Sequence, residues 1–214
     1  MTGGPTAQPG AGAGALVPED DDAYENDSAL GEEDLASATT SLSSSILKFR
    51  EENGRTYHSY KEGKYLFPND EPENDRLDLQ HHLFALTFDG RLFTAPIPKD
   101  RTLHRVLDVG TGTGIWAIDF ADEHPESLVF GIDLSPIQPS MIPPNVTFQV
   151  DDLEEQWTFT EKFDLIYSRM MSGAIANFPK LFQQSFEYVP SHLRTSSILC
   201  FLVELSLRGK MERK

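Results

Sequence analysis

The sequence predicts an α/β fold built on an open, doubly wound parallel sheet, and three observations predict it. Short apolar runs alternate with helix-length runs from Arg105 onward. Glycine or proline punctuates the joins between them. The first apolar run ends in glycines at alternate positions, Gly110, Gly112 and Gly114, within "VLDVGTGTGIWAIDFA". Strands separated by helices or crossover loops connect with right-handed, parallel topology.

Taken in order, residues 1–45 hold nine acidic groups between Glu19 and Asp34, no Lys or Arg, and few large apolar side chains. Such a stretch cannot bury enough surface to offset its ordering entropy, so it reads as a disordered acidic arm. Residues 46–100 read as an N-terminal helical and lid region. "SSSILKFREENG" offers serine N-caps and Gly54 as a stop, which predicts a helix. "RTYHSYKEGKYLFPND" is rich in tyrosine and ends in turn residues. "NDEPENDRLDLQHHLFALTFDG" is the clearest helix, capped by Asn69 or Asp70 and closed by Asp89-Gly90. Leu79, Leu83 and Leu86 recur in it at helical spacing, with Leu77 and Phe84 beside them.

The core, residues 101–188, follows. "RVLDVG" predicts a buried strand, "GIWAIDFADEHP" a helix stopped at Pro125, and "SLVFGIDLS" a second strand. "NVTFQVDD" alternates as a third, "FDLIYSRM" is a fourth, and "NFPKLFQQSFEYV" returns to helix.

Composition narrows the function. The 214-residue chain carries a net charge of -16, and no stretch has the basic stripe of direct nucleic-acid binding. Its one cysteine, Cys200, excludes an intramolecular disulfide and a cysteine zinc site. The N-terminus lacks the charged and apolar regions of a secretory signal. "SSILCFLVELSL" is too short for a membrane span and contains Glu204. The expectation is a soluble, intracellular protein with no membrane contact.

In an open parallel sheet, ligands sit at the carboxyl ends of the strands, and glycine there lets a ligand approach the main chain. A dinucleotide fingerprint needs its third glycine five residues after the first, but here it comes at four and Ile115 holds the fifth place. The loop has no lysine, which excludes a P-loop. Asp108, two residues before the first glycine, would repel a pyrophosphate. It suits a ligand carrying an ammonium and a sulfonium, which describes S-adenosylmethionine. Asp133, ending the second strand, is placed to accept from both ribose hydroxyls. Asp151 or Asp152, ending the third, is placed to accept from the adenine amino group.

These segments, "VLDVGTGTGIWAIDFA", "VFGIDLSPIQP", "VTFQVDDLEEQW" and "FDLIYSRMM", resemble the ordered motifs of class I S-adenosylmethionine-dependent methyltransferases, whose sheet is Rossmann-like. With "ENGRTYHSYKEGKYLFPNDEPENDRLDLQHHLF" they resemble, more narrowly, the fungal LaeA-like methyltransferase-domain proteins, over roughly Ser44 to Tyr188. The resemblance implies cofactor contacts at Asp108, Gly110, Thr111, Gly112 and Gly114, then at Asp133 and Leu134. It implies others at Asp151, Asp152 and Leu153, and at Ser168 and Arg169 after the fourth strand. It also implies control of secondary metabolism, regulatory protein partners, and a place in the nucleus or cytoplasm.

Methyl transfer from a sulfonium is an in-line displacement in which orientation contributes up to ~7–11 kcal/mol. No residue is an evident catalytic base. Tyr57, His58, Tyr60, Gln80 and His81 are candidates for a lid or the substrate side. His81 and His82 point about 100° apart on a helix and have no third ligand, so no metal is expected. After Tyr188 there is no Pro-Gly-Gly turn, and the tail 189–214 cannot supply the three strands that the family sheet still needs. The expected sheet is therefore incomplete, four strands plus at most one, as in a truncated product of a retained intron or a gene-model error. Three readings stay open: a methyltransferase of unknown acceptor, a non-catalytic regulator or scaffold, and an inactive fragment.

Overall fold

The computed structural model describes residues 45–98 and 100–190. Apart from Ser45, Val189 and Pro190, the expected arm and the expected C-terminal strand lie outside the described residues. Four strands form one wholly parallel sheet: β3 (Arg105–Val109), β4 (Leu128–Asp133), β5 (Val146–Val150) and β6 (Leu165–Ser168). Their spatial order is β5-β4-β3-β6. The chain winds outward from β3 through β4 to β5, then returns to β3's other side as β6. That reversal opens a crevice beyond the carboxyl end of β3.

The sheet is covered on both faces, and strand alternation explains how. Val106, Val129 and Leu165 pack against Trp116, Ala117 and Phe120 of α2 (Ile115–Glu123). Leu107, Val109, Ile132 and Ile166 point the other way, onto Trp157, Phe163 and Leu181. Leu181 belongs to α3 (Phe178–Tyr188), so the sheet is doubly wound as the sequence predicts. Trp116 also stacks on Tyr167 at 3.8 Å between ring centroids, and its indole N–H donates to the Leu92 carbonyl at 2.8 Å.

The N-terminal region departs from expectation. Within "SSSILKFREENG", which predicts a helix, Ser45 and Ile46 are helical, but further on the chain forms a hairpin of β1 (Arg50–Glu52) and β2 (Arg55–Tyr57). Asn53 and Gly54 join the strands with φ of 51° and 76°. An Asn-Gly pair with both φ positive is the type I′ turn, whose twist matches paired strands, so Gly54 reverses the chain rather than ending a helix. Arg55 then pairs with Asp70, the N-cap of α1 (Glu71–Thr87), fastening hairpin to helix. That guanidinium holds the Asp70 carboxyl down at about 2.

The second departure concerns α1. Leu79, Leu83 and Leu86 face solvent at 60%, 54% and 64% exposure, although their spacing suggests a core face. The helix instead turns polar groups inward. Asp78 accepts from the Thr113 hydroxyl at 2.6 Å, and His81 meets Asp119 at 2.9 Å. A helix laid over the glycine loop and the first turns of α2 meets polar surface there, so its buried side is not its most apolar one.

Gly114 shows how tightly this junction is set. Its φ is +82°, and a Cβ there would lie 2.4 Å from Phe148 Cζ of β5. Gly114→Ala is expected to destabilise the protein by about 2–4 kcal/mol, from left-handed strain plus overpacking. Urea denaturation checks this; a loss under about 0.5 kcal/mol would show that the junction yields easily.

Candidate functional site

The crevice is built from the glycine loop outward. The amides of Gly110 and Thr111 both donate to the Ile132 carbonyl, at 2.9 and 3.0 Å, which pins the loop across the ends of β3 and β4. Gly110 and Gly112 take φ of +73° and +58°, a region that glycine enters without strain. The Gly112 amide donates to Asp133 Oδ2 at 2.9 Å, and the Ser135 amide to Asp133 Oδ1 at 3.0 Å. Gln138 adds a brace from the proline-rich loop, donating to the Gly112 carbonyl at 2.7 Å.

Beyond this loop lies an open cleft at the carboxyl ends of the strands, the usual place for a small-molecule ligand in an open α/β sheet. Asp133, Leu134 and Ser135 form one wall, and Asp152 and Leu153 another. Met170, Met171, Ala174 and Ile175 close a third side. The roof is the segment between β2 and α1, which brings His58, Lys64, Tyr65, Phe67 and Asn69 to the cleft. His58 is buried, with Nδ1 at 2.6 Å from the Tyr60 carbonyl, and its Nε2 lies 3.1 Å from the Tyr65 amide. Asn69 donates to Ser135 Oγ at 2.7 Å, and Lys64 pairs with Asp152 and Glu154.

Three carboxylates at the strand ends, Asp133 and Asp152 in this cleft and Asp108 in the cavity beside it, stand in different electrostatic states. Burial pushes Asp108 up to about 7, against the Thr111 hydroxyl that donates to it at 2.6 Å. Burial also raises Asp133, opposed by the amides of Gly112, Ser135 and Leu134. Burial acts on Asp152 in the same sense, but there the Lys64 ammonium and the Glu154 amide outweigh it and hold the carboxyl below its ordinary range. Burial drives the Tyr65 phenol to about 12, so it stays protonated.

The predicted residues divide clearly. Gly110, Gly112, Asp133, Leu134, Asp152, Leu153, Arg169 and His58 line the main cleft. Asp108, Thr111 and Gln80 line a narrower cavity beside it, shared with Arg169. Between the two carboxylates ending β5, Asp152 faces the main cleft, while Asp151 lines a separate cavity with Arg105 and Phe159. Five of the predicted residues line neither cavity. Gly114 packs on Phe148, and Ser168 is buried at the end of β6. Tyr57 lies under the Arg50 guanidinium, and Tyr60 sits beside Lys61, outside both cavities. His81 is buried behind Arg169 instead of reaching the substrate side.

Sequence reasoning missed Lys64, Tyr65, Phe67, Asn69, Ser135, Gln138 and the methionine pair. The tyrosine-rich stretch before α1 was the available signal, since aromatic residues in a turn-rich segment need something to cover.

The donor set tests the expected cofactor. The cleft offers the half-buried Asp133 carboxylate and, in Asp152, a carboxylate paired with Lys64, while Asp108 lies in the cavity beside them. Acceptors at two strand ends suit hydroxyl and amino donors, which S-adenosylmethionine presents. At Gly112 the nearest neighbour of a Cβ would be Leu77 Cδ1 at 3.5 Å, so the bare main chain faces open cleft.

Comparison with known proteins agrees. The profile of a family described as "Methyltransferase domain" matches residues 79–198, more than half of the chain. The chain is 47% identical over 163 residues to "Methyltransferase pytC" of Aspergillus terreus, covering 75% of this chain and 48% of that protein. It is 48% identical over 141 residues to "Secondary metabolism regulator LAE1" of Cochliobolus heterostrophus, covering 64% and 46%. It is 44% identical over 150 residues to "Protein-methionine methyltransferase laeA" of Emericella nidulans, covering 69% and 38%. The chain thus spans about half or less of the length of these relatives. A doubly wound sheet, a glycine loop with acidic residues at two strand ends, and a matched profile over most of that core agree: the chain belongs to the methyltransferase-domain family.

Proposed function

We propose that this chain binds S-adenosylmethionine in the main cleft and directs its methyl group to a thioether acceptor. The observation that carries the cofactor reading is the pair Asp108, buried, and Asp133, half-buried, on either side of a glycine loop that Asp133 itself ties down. Asp133 would take the ribose hydroxyls and Asp152 the adenine amino group, while Asp108 would hold the α-ammonium. When bound, the cofactor supplies a methyl group on a sulfonium, already activated for displacement. The chain's own residues hold the donor, and the roof residues Tyr65 and Phe67 keep water from it.

The acceptor reading rests on proton bookkeeping. Lysine, hydroxyl or amide acceptors must lose a proton, which calls for a base. Among the described residues, both ring nitrogens of His58 and both of His81 are engaged and Tyr65 stays protonated, while Asp108 would be reserved for the ammonium. A thioether carries no proton to lose. With such an acceptor the methyl group would leave one sulfur as it joins the other, the positive charge would pass with it, and this chain would have no proton to remove. A relative is named for protein methionine, and Met170 and Met171 give the acceptor side of this cleft a soft, adaptable lining. Two relatives' names and the resemblance together support a regulatory role exercised with protein partners.

The test incubates the full chain with methyl-labelled cofactor and cellular protein, then maps the label by mass spectrometry, with calorimetry of S-adenosylhomocysteine alongside. Label on methionine sulfur is expected. Label on nitrogen or oxygen overturns the acceptor reading, as does binding without transfer, which would leave a cofactor-binding regulator. No heat of binding overturns the cofactor reading.

A further inference from the structure

β5 stands at one end of the strand order β5-β4-β3-β6, so one of its edges meets no strand among the described residues. The hydrogen bonds on its other side show which groups that edge presents. The Asn145 carbonyl accepts from the Val129 amide at 2.9 Å, and the Asp151 amide donates to the Asp133 carbonyl at 3.0 Å. Strand alternation turns the main-chain groups of Thr147 and Gln149 toward β4 as well, and those of Val146, Phe148 and Val150 to the open side. Of these, the Val146 amide is taken locally, by the Pro143 carbonyl at 3.1 Å.

Edge strands that must stay single are blunted by lysine, proline, a bulge or a cover. β5 reads Val-Thr-Phe-Gln-Val, with neither charge nor proline. It pairs with β4 residue for residue, without a bulge, and Thr147 and Gln149 are exposed. The guards stand outside it, Pro143 and Pro144 before and Asp151 and Asp152 after. A window bounded in this way admits one short strand in one register.

The window matches itself. Its alternation of apolar and polar residues reads the same from either end about Phe148. Laid antiparallel on a second copy with Phe148 opposite Phe148, each Phe148 exchanges both main-chain bonds with the other. Each Val150 amide then meets the other copy's Val146 carbonyl. Thr147 falls opposite Gln149, in a close pair where hydroxyl and amide can bond. Asp151 falls opposite the uncharged Asn145, so no carboxylate meets another. A slip of two residues would set Val150 against Pro144, which has no amide, or Val146 against Asp152.

We infer that β5 is a self-association edge, through which two copies of this chain join antiparallel into one continuous sheet about a two-fold axis at Phe148. Such an isologous joint uses the same surface on both copies. The strands of the two copies run in opposite directions, so the two clefts lie at opposite ends of the joint sheet. One short strand pair is a small interface, which makes the association transient. The inference is independent of what the cleft binds.

Sedimentation velocity on the full chain, from about 5 to 300 µM, tests it at about 0.15 M salt, where a Debye length of ~8 Å screens the general repulsion between chains but spares neighbouring charges. The mass is expected to rise from monomer toward dimer over that range. Two double variants at the exposed positions fix the register: Thr147→Lys with Gln149→Lys, and Thr147→Glu with Gln149→Glu. Each alone sets like charges opposite one another and is expected to stay monomeric. Mixed, they set lysine opposite glutamate, and the dimer should return about tenfold or more tighter than in either variant alone. In the parent, hydrogen exchange at the Phe148 and Val150 amides should slow as concentration rises. A parent that stays monomeric overturns the inference and leaves the edge to a strand from another protein. A dimer that persists in both variants, or does not return on mixing, overturns it as well, as does exchange at those two amides that ignores concentration.

Discussion

Replacing Asp108 with asparagine is expected to weaken S-adenosylhomocysteine binding by about 30-fold or more while making the unliganded protein more heat-stable at pH 8. Both effects follow from a carboxyl that is fully buried and pushed up to about 7. Its folded value lies above the unfolded 3.8, so its stabilising contribution is complete below about pH 4. That contribution is lost as pH rises through about 7, where the native state must ionise a buried group. Asparagine keeps an oxygen for the Thr111 hydroxyl and never ionises, which should raise the melting temperature by several degrees. The ligand's ammonium, however, needs the charge, and removing one partner of a buried charge pair costs about 2–5 kcal/mol. In the parent, affinity should climb between pH 6 and 8 as Asp108 ionises, with proton release on binding. The variant should show a flat profile over the same range. A parent whose affinity does not change across that window would remove Asp108 from the ammonium's contacts.

Asp133→Ala is expected to lower affinity by about 100-fold or more and to destabilise the fold by about 1–3 kcal/mol. The side chain does two jobs with the same two oxygens. Oδ2 and Oδ1 anchor the amides of Gly112 and Ser135 at 2.9 and 3.0 Å, and their remaining lone pairs are what ribose hydroxyls would use. Alanine leaves both amides without their acceptor, though it also relieves the burial that raises the Asp133 pKa, which limits the stability loss. Asp133→Asn separates the jobs. One amide keeps its oxygen, the other faces an NH₂, and two hydroxyl donors no longer find two acceptors. It should recover part of the stability and little of the affinity. Calorimetry and urea denaturation on both variants decide the matter, and unchanged affinity in Asp133→Ala would discard the ribose assignment.

What could be read from sequence follows a physical boundary. The strands and helices of the core announce themselves because each is buried on a face set by its own period: Val106 and Leu107 point to opposite layers, and Phe120 falls where a helix must turn inward. The carboxylates Asp108 and Asp133 were legible because their places at strand ends are local in sequence. The roof was not. Lys64 reaches Asp152 across 88 residues, and Asn69 reaches Ser135 across 66. No periodicity encodes such meetings. The choice between Asp151 and Asp152 depends on β5's direction at its last residue, and nothing local in sequence separates Gly114 from its two neighbouring glycines, because Phe148, which packs against it, is distant in the chain. The leucines of α1 misled for a related reason: hydrophobic spacing identifies a core face only when the neighbouring surface is apolar, and here it is a polar crevice.

His58 has a consequence for how strongly a ligand can be held. Its ring clips the loop from Tyr60 to Tyr65 into one closed unit before any ligand arrives. The ordering of that loop is settled when the chain folds, so a ligand arriving beneath Tyr65 and Phe67 meets a preorganised surface and loses little of its binding free energy to immobilising the cover. A residue whose place in the sequence suggests a lid or the substrate side thus contributes through entropy, by fixing the shape of the space above the cleft.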